Sequence, residues 1–302
     1  TWRCGDPGLQ YDTVINDWHT CPSSGRIRAS NPCSEYMFLD DTACNLASLN
    51  LLKFMHKDTG VFDTEGFAHA CRIWTVVLEI SVLMAQYPSE EVAVNSYAFR
   101  TLGLGFANLG AACMRNGWPY DSEQARGFAA GVAALMTGTA YQTSAELAAA
   151  IGPFSRYAEN RDAMLRIIEN HRALITHRPD AVKGLSRIPD VPEVKHIPAE
   201  ILHAARKAWK EASENGAQFG FRNAQVSVIA PTGTIGIVMD CDTTGIEPEY
   251  ALVREKRLSG GGTLRFVNNQ VGDALRLLGY PATEISAILS YLNASGTLNG
   301  AT

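Results

Sequence analysis

From Glu65 to Gln86 the apolar residues Phe67, Cys71, Trp74, Val77, Leu78 and Val82 recur at intervals of three and four. That is the period of one helix face, so the spacing predicts a helix with a broad apolar side, ended by Pro88. Residues 89–116 keep an otherwise helical pattern interrupted by Gly103, Gly105 and Gly110. The glycines fail as a dinucleotide fingerprint because no strand precedes them, and they read instead as small residues that let helices pack closely. Alanine-rich residues 121–151, with Gly138 in the middle, predict one or two long helices starting at an Asp121 or Ser122 cap and closed by Gly152-Pro153. A polar helix at 156–175 follows. Residues 176–198 carry Pro179, Pro189 and Pro192 among charged residues and read as a long surface loop. Pro198 then opens a helix to about Asn215.

The period changes at Ala224–Ile229, where Val226, Val228 and Ile229 predict a buried strand. It runs into Pro231-Thr232-Gly233-Thr234-Ile235-Gly236, a turn whose backbone N–H groups and hydroxyls are the ingredients of an anion nest. No lysine follows the second glycine, so it is not a P-loop, and an ordinary strand-to-helix turn would read the same way. Helices dominate the middle and short strands flank the motifs, which together predict an α/β fold with functional loops at strand ends.

The chain has 302 residues, 46% hydrophobic and 19% charged, enough for one large domain or two ordinary ones. A formal net charge of −5 argues against nucleic acid or an anionic membrane as partner, because both select clustered Lys and Arg. No apolar run approaches the roughly twenty residues of a bilayer span, and residues 1–30 lack a signal-peptide layout, so the expected location is cytoplasmic. The start at Thr1 and the end at Thr302, without a charged tail or capped helix, read as those of a fragment.

Seven cysteines are scattered, never as Cys-x-x-Cys, which fits neither a secreted disulfide scaffold nor structural zinc, and no metal-ligand set is expected. Cys71 and Cys113 lie among apolar residues and read as core. Cys21 follows His19, but side chains two apart do not supply the base of a cysteine hydrolase.

The chemistry concentrates in Ser30-Asn31-Pro32-Cys33-Ser34-Glu35 and in Cys44, eleven residues after Cys33. Residues two apart on an extended or looped backbone point the same way, so Asn31, Cys33 and Glu35 can converge on one small ligand. A plain surface turn begun by Asn-Pro accounts for the same residues.

Asn31-Pro32-Cys33-Ser34-Glu35, with Ala43-Cys44-Asn45-Leu46-Ala47-Ser48-Leu49-Asn50-Leu51 behind it, resembles the finger loop of ribonucleotide reductase large chains of the adenosylcobalamin-dependent class II. Gly5-Asp6-Pro7-Gly8-Leu9-Gln10-Tyr11 upstream and Ala230–Gly236 downstream resemble the same family, in the same order. The resemblance implies a ten-stranded α/β barrel with the finger loop threaded into its centre. Residues 1–302 would then be a partial catalytic barrel domain, lacking the N-terminal effector region, the first half of the barrel and the C-terminal tail.

The resemblance also implies roles. Cys33 matches the thiyl-radical position that takes the 3′ hydrogen of the ribose, with adenosylcobalamin as the radical source. Glu35 matches the general base on the 3′ hydroxyl, and Asn31 the amide that hydrogen-bonds the substrate. Cys44 matches one of two cysteines that donate reducing equivalents; its partner lies far upstream in the family, and neither Cys4 nor Cys21 stands in the right context for it. Ser30–Glu35 and the loop Pro231, Thr232, Gly233, Thr234 and Ile235 would bind a ribonucleoside di- or triphosphate. A thioredoxin-like reductant would act through the missing tail, so the fragment alone should not turn over, and whether the full chain forms a homodimer stays open.

The eleven-residue interval and the Pro-Thr-Gly-Thr-Ile loop resemble class II, whereas a class I chain with a diiron partner usually shows a longer interval and a Pro-Thr-Ala-Ser type loop. Asp242-Thr243-Thr244-Gly245-Ile246-Glu247-Pro248 also looks like the class II continuation. Two other readings stay open: a thiol hydrolase, which needs one of the seven histidines beside Cys33, and a non-catalytic nucleotide-binding module that keeps the Pro231–Gly236 loop with Cys33 inert.

Overall fold

The computed structural model describes Arg3 and residues 8–301; Cys4 and the Gly5–Pro7 part of the upstream motif lie outside the described residues. In chain order the elements are α1 (Asp12–Asp17), β1 (Asn45–Asn50), α2 (Thr64–Met84), α3 (Glu90–Phe99), β2 (Leu102–Ala107), α4 (Leu109–Arg115), α5 (Glu123–Ile151), α6 (Tyr157–Ile175), α7 (Ala199–Phe219), α8 (Gly233–Val238), β3 (Val253–Arg257), β4 (Thr263–Val267), α9 (Gln270–Leu277) and α10 (Ala282–Ser295). The chain forms two compact units, one of residues 1–47, 64–105 and 127–230 and the other of residues 48–63, 106–126 and 231–302.

In the first unit the predicted helices are present. Phe67, Cys71, Leu78 and Val82 bury one side of α2, while Trp74 and Val77 stay about two-fifths exposed, so the core takes only part of the apolar face. Ser89 caps α3 by accepting the Val92 N–H. Gly138 is where α5 admits Trp209 of α7: a Cβ there would lie 2.9 Å from the indole. Helix α7 runs to Phe219, a turn beyond the predicted end, and the 176–198 connector contains two short 3-10 turns, Pro179–Ala181 and Val194–His196.

The glycine-rich stretch is a correction: it is strand β2, not helix, and every residue in it is buried. Burial on both faces removes the alternation that marks a half-exposed strand. Gly103 makes room for β1, with which β2 pairs; a Cβ there would lie 2.5 Å from Leu46 Cδ2 and 3.1 Å from Asn45 O. On the other side, residues 225–228 run parallel to β2, with Leu104 N–H donating to Val226 O and Val228 N–H to Leu104 O. The predicted strand is thus present as an extended segment buried at Ala224, Val226 and Val228.

Helix α2 also corrects the expectation about apolar length, since by length and composition it is long and apolar enough to cross a membrane. Its Glu79 is nevertheless tied into the interior of the unit. Arg100 Nε (2.6 Å) and Arg222 Nε (2.7 Å) both donate to Glu79 Oε1, and Asn223 Nδ2 donates to Oε2 (2.6 Å). Arg100 closes α3 in a left-handed conformation (φ 52), which turns its guanidinium back toward α2.

In the second unit, α4 is buried from Leu109 to Cys113, β3 and β4 form an antiparallel hairpin with Val253 opposite Val267, and Val271, Ile285 and Leu292 bury α9 and α10. Buried Asp242 anchors the start of α9, accepting from Asn269 N–H and Gln270 Nε2, each at 2.8 Å. The fold is mixed and helix-rich; its strands, among the described residues, make two two-stranded sheets.

Candidate active site

The Asn31–Glu35 segment folds as a tight turn. Ser34 N–H donates to Asn31 O at 3.0 Å, placing Pro32 and Cys33 at the two central positions. The fixed φ of proline suits the first of these. Ser34 follows in the left-handed region (φ 65), and the ends are pinned by a Ser30–Met37 antiparallel bridge and by Asn31 N–H donating to Tyr36 O at 3.1 Å. Gln10 Nε2 donates to both Ser30 Oγ and Ser34 Oγ, lacing the turn from outside.

Because the segment is a turn, its side chains do not simply alternate. Pro32, Cys33 and Ser34 are exposed at the apex, and the Cys33 thiol is free. Asn31 Oδ1 accepts the Tyr36 N–H at 2.9 Å, so half of that amide holds the loop itself. Glu35 is half-buried, and its Oε2 is fully buried without a hydrogen-bond partner. It lines a cavity of 310 Å³ with Trp18, His19, Thr20, Gln225 and Ser227. A buried carboxylate oxygen left unpaired is costly and marks a group held ready for a ligand or a proton.

Cys44 sits half-buried at the start of β1, where Gly103 makes space: a Cβ at 103 would lie 3.3 Å from its Sγ. Burial pushes the Cys44 thiol up to about 12, and the neighbouring Glu35 charge pushes it the same way. Glu35 and Cys44 are therefore electrostatic neighbours, and Cys44 is a protonated thiol near neutral pH.

The histidine required of a thiol hydrolase is not beside Cys33 among the described hydrogen bonds. His19 is occupied elsewhere: its Nδ1 accepts the Cys21 N–H at 3.3 Å and its Nε2 faces Gly25 O at 3.1 Å. Burial pushes His19 down to about 4, so it is neutral. Cys21, Cys71 and Cys113 are buried core residues, as read for the last two from their apolar neighbours.

Sequence reasoning passed over the polar residues that brace this loop. Tyr36 Oη donates to Thr42 Oγ1 at 2.9 Å and lies 2.9 Å from Thr101 Oγ1, which donates to Ala43 O at 2.8 Å. Thr42 Oγ1 in turn donates to Leu39 O, and Ser96 Oγ accepts the Ala43 N–H. Nothing in the local sequence marks Thr101 or Ser96, which lie more than fifty residues from their partners.

In the second unit, Thr232 is buried in the left-handed region (φ 51) and caps the six-residue α8. Its Oγ1 accepts the Gly245 N–H at 2.6 Å, fastening the loop to residues 242–245. Gly233, Thr234 and Ile235 are exposed, and as the first residues of a helix their N–H groups have no acceptor within it. A Cβ on Gly233 would meet nothing within 4 Å. Behind the loop, Asn50 Nδ2 donates to Met239 O, Asn108 Nδ2 to Asn50 Oδ1, and Thr243 N–H to Asn108 Oδ1, a buried amide chain that fixes the segment at Met239 and Thr243.

Against known proteins, a family model described as ribonucleotide reductase, barrel domain, matches residues 1–301. The chain is 54% identical over 301 residues to a vitamin B12-dependent ribonucleotide reductase of Bradyrhizobium diazoefficiens, covering 99% of this chain and 24% of that one. It is 53% identical over 300 residues to the protein of that name from Rhodopirellula baltica, covering 99% and 27%. With the one from Streptomyces avermitilis it shares 48% over 301 residues, covering 98% and 30%. The chain spans about a quarter to a third of the length of the curated relatives it matches.

Proposed function

The chain belongs to the ribonucleotide reductase barrel-domain family, and we propose that it carries the finger loop and later barrel of a class II enzyme that reduces ribonucleotides to 2′-deoxyribonucleotides for DNA synthesis. Residues 1–302 would form part of the family's ten-stranded barrel, completed by the rest of a longer protein acting in the cytoplasm. When bound, adenosylcobalamin supplies the carbon-radical chemistry that activates the Cys33 thiol. The exposed apex position of Cys33 fits such a group, since a hydrogen atom can be taken only from a thiol within reach.

The turn then divides the labour. Cys33, as a thiyl, takes the 3′ hydrogen of the ribose. Glu35 withdraws the 3′ hydroxyl proton, which its unpartnered Oε2 is available to hold, while the 2′ hydroxyl takes a proton from the reducing thiol pair and leaves as water. Asn31 keeps its Nδ2 donors for the substrate while Oδ1 holds the loop. Cys44 supplies reducing equivalents together with a cysteine from a part of the reductase that this chain does not span, and a thioredoxin-like reductant restores the pair. Its high pKa suits that role, because a protonated thiol is the form that carries hydrogen. The N–H groups of the exposed Gly233, Thr234 and Ile235, at the start of α8 just after Pro231 and Thr232, bind the substrate phosphates without a basic side chain.

The observation that supports this reading most is the turn itself, which exposes Cys33 and buries an unpaired Glu35 oxygen, with the Glu35 charge felt at Cys44. Assay of deoxynucleotide formation by the full-length reductase tests it. Cys33→Ser, Glu35→Gln and Cys44→Ser should each reduce turnover with reductant by orders of magnitude, whereas a Cys33→Ser enzyme with native turnover would overturn the reading.

A further inference from the structure

We propose that Tyr36 is a positioning residue: its hydroxyl, through Thr42 and Thr101, clamps the finger turn that carries Glu35 to the Leu39–Ala43 segment that delivers Cys44. This deepens the reading of Glu35 and Cys44 given above and rests on it for its functional meaning. The geometry is self-contained. Tyr36 is buried, and its backbone is already committed to the turn, its N–H to Asn31 Oδ1 and its carbonyl to the Asn31 N–H. Its ring therefore moves with Glu35, the preceding residue.

At the far end of that ring, Oη meets two threonines that serve different parts of the next segment. Thr42 Oγ1 donates to Leu39 O, closing the bend before β1, and Thr101 Oγ1 donates to Ala43 O, the carbonyl immediately before Cys44. Thr101 precedes β2, whose Gly103 makes the space for the Cys44 sulfur. One phenol, tied to the turn by its own backbone, thus meets both Thr42 of the bend and Thr101 before β2, its single proton shared between the two threonine oxygens. The ring itself packs on Phe38 with centroids 6.3 Å apart, so removing only the hydroxyl leaves the apolar contact in place.

Residue-resolved alkylation tests this. Iodoacetamide reacts with the thiolate, displacing iodide, and a half-buried thiol reacts through local opening of its surroundings. In the full-length protein, with labelling at each cysteine followed by mass spectrometry, Tyr36→Phe and Thr101→Val should each speed Cys44 labelling about tenfold, the shift that loss of one buried hydrogen bond produces. Thr101→Ser, which keeps the hydroxyl, should label as the parent does. Cys71 and Cys113, buried in other elements, should be unchanged in all three. An unchanged Cys44 rate in the folded variants would overturn the proposal. So would a rise shared by Cys71 and Cys113, or failure of both variants to fold, since either would mean general support of the fold. Labelling does not depend on turnover, so a negative result leaves the reductase reading standing, and an inactive enzyme leaves the labelling result standing.

Discussion

The Glu35 carboxylate and the Cys44 thiol act on each other across the base of the finger turn: burial first, then the Glu35 charge, holds Cys44 at about 12. Glu35→Gln removes one of those two causes and leaves the burial. The Cys44 titration should therefore move down toward, without reaching, the ordinary thiol value. At a fixed mildly alkaline pH its alkylation should speed up. A Cys44 pH profile that is the same in both proteins would show that the two groups are not coupled.

Two neutral histidines, the buried His19 and the half-buried His171, make the fold sensitive to acid. Burial lowers His171, stacked on Trp209 at 4.7 Å, from 6.5 to about 4, and lowers His19 to a similar value. A depressed pKa means that the unfolded chain binds protons first, so this stability is present above pH 6.5 and is lost as pH falls toward 4. The loss should be on the order of 3 kcal/mol for each histidine. Urea denaturation at pH 7 and pH 4.5 should show it, and His171→Phe, which keeps an aromatic ring against Trp209, should flatten the slope. An equally steep loss in that variant would remove His171 from the explanation.

Glu79 is the charge on which the first unit depends most. Glu79→Ala would leave the buried Arg100 and the largely buried Arg222 without their carboxylate. Breaking a buried ion pair from one side costs about 3–5 kcal/mol. The midpoint of urea unfolding should fall accordingly; a change within about 0.5 kcal/mol, as at an ordinary surface site, would show the network to be solvated in solution.

The phosphate loop makes a separable prediction. A Cβ on Gly233 meets no protein atom, so Gly233→Val should fold normally and obstruct only what approaches from outside. Nucleotide affinity in the full-length reductase should weaken by about 1–3 kcal/mol if one or two charge-assisted hydrogen bonds are displaced. Equal affinity in calorimetric titration would make this an ordinary turn.

What could be read from the sequence follows from where each signal resides. Helix α2 is legible because its apolar residues repeat at three and four, and the finger turn because Asn31-Pro32 sets it locally. Strand β2 is not legible: burial on both faces leaves no alternation, and its Gly103 is there for β1 rather than for a turn. The β3–β4 hairpin is hard to read because both strands are mostly exposed and β3 is mostly charged, although Ser259-Gly260-Gly261-Gly262 between them is a turn signal. Asn31, Cys33, Glu35 and Cys44 stand out as candidates through the family resemblance, since their residue types alone fit a surface turn equally well. The Tyr36–Thr101 contact and the Glu79 ion network do not, because their partners are brought together only by tertiary packing.

The most direct measurement is exchange of tritium from the 5′ carbon of adenosylcobalamin into solvent, catalysed by the full-length reductase with and without Cys33. With Cys33 present, the label should wash out into water through the exchangeable S–H hydrogen, and nucleotide reduction should accompany it. With Cys33→Ser, folded and still binding cofactor, both should vanish, because an O–H bond is too strong to take the place of S–H. Continued exchange and deoxynucleotide formation in that variant would contradict the assignment of Cys33 as the radical-bearing residue.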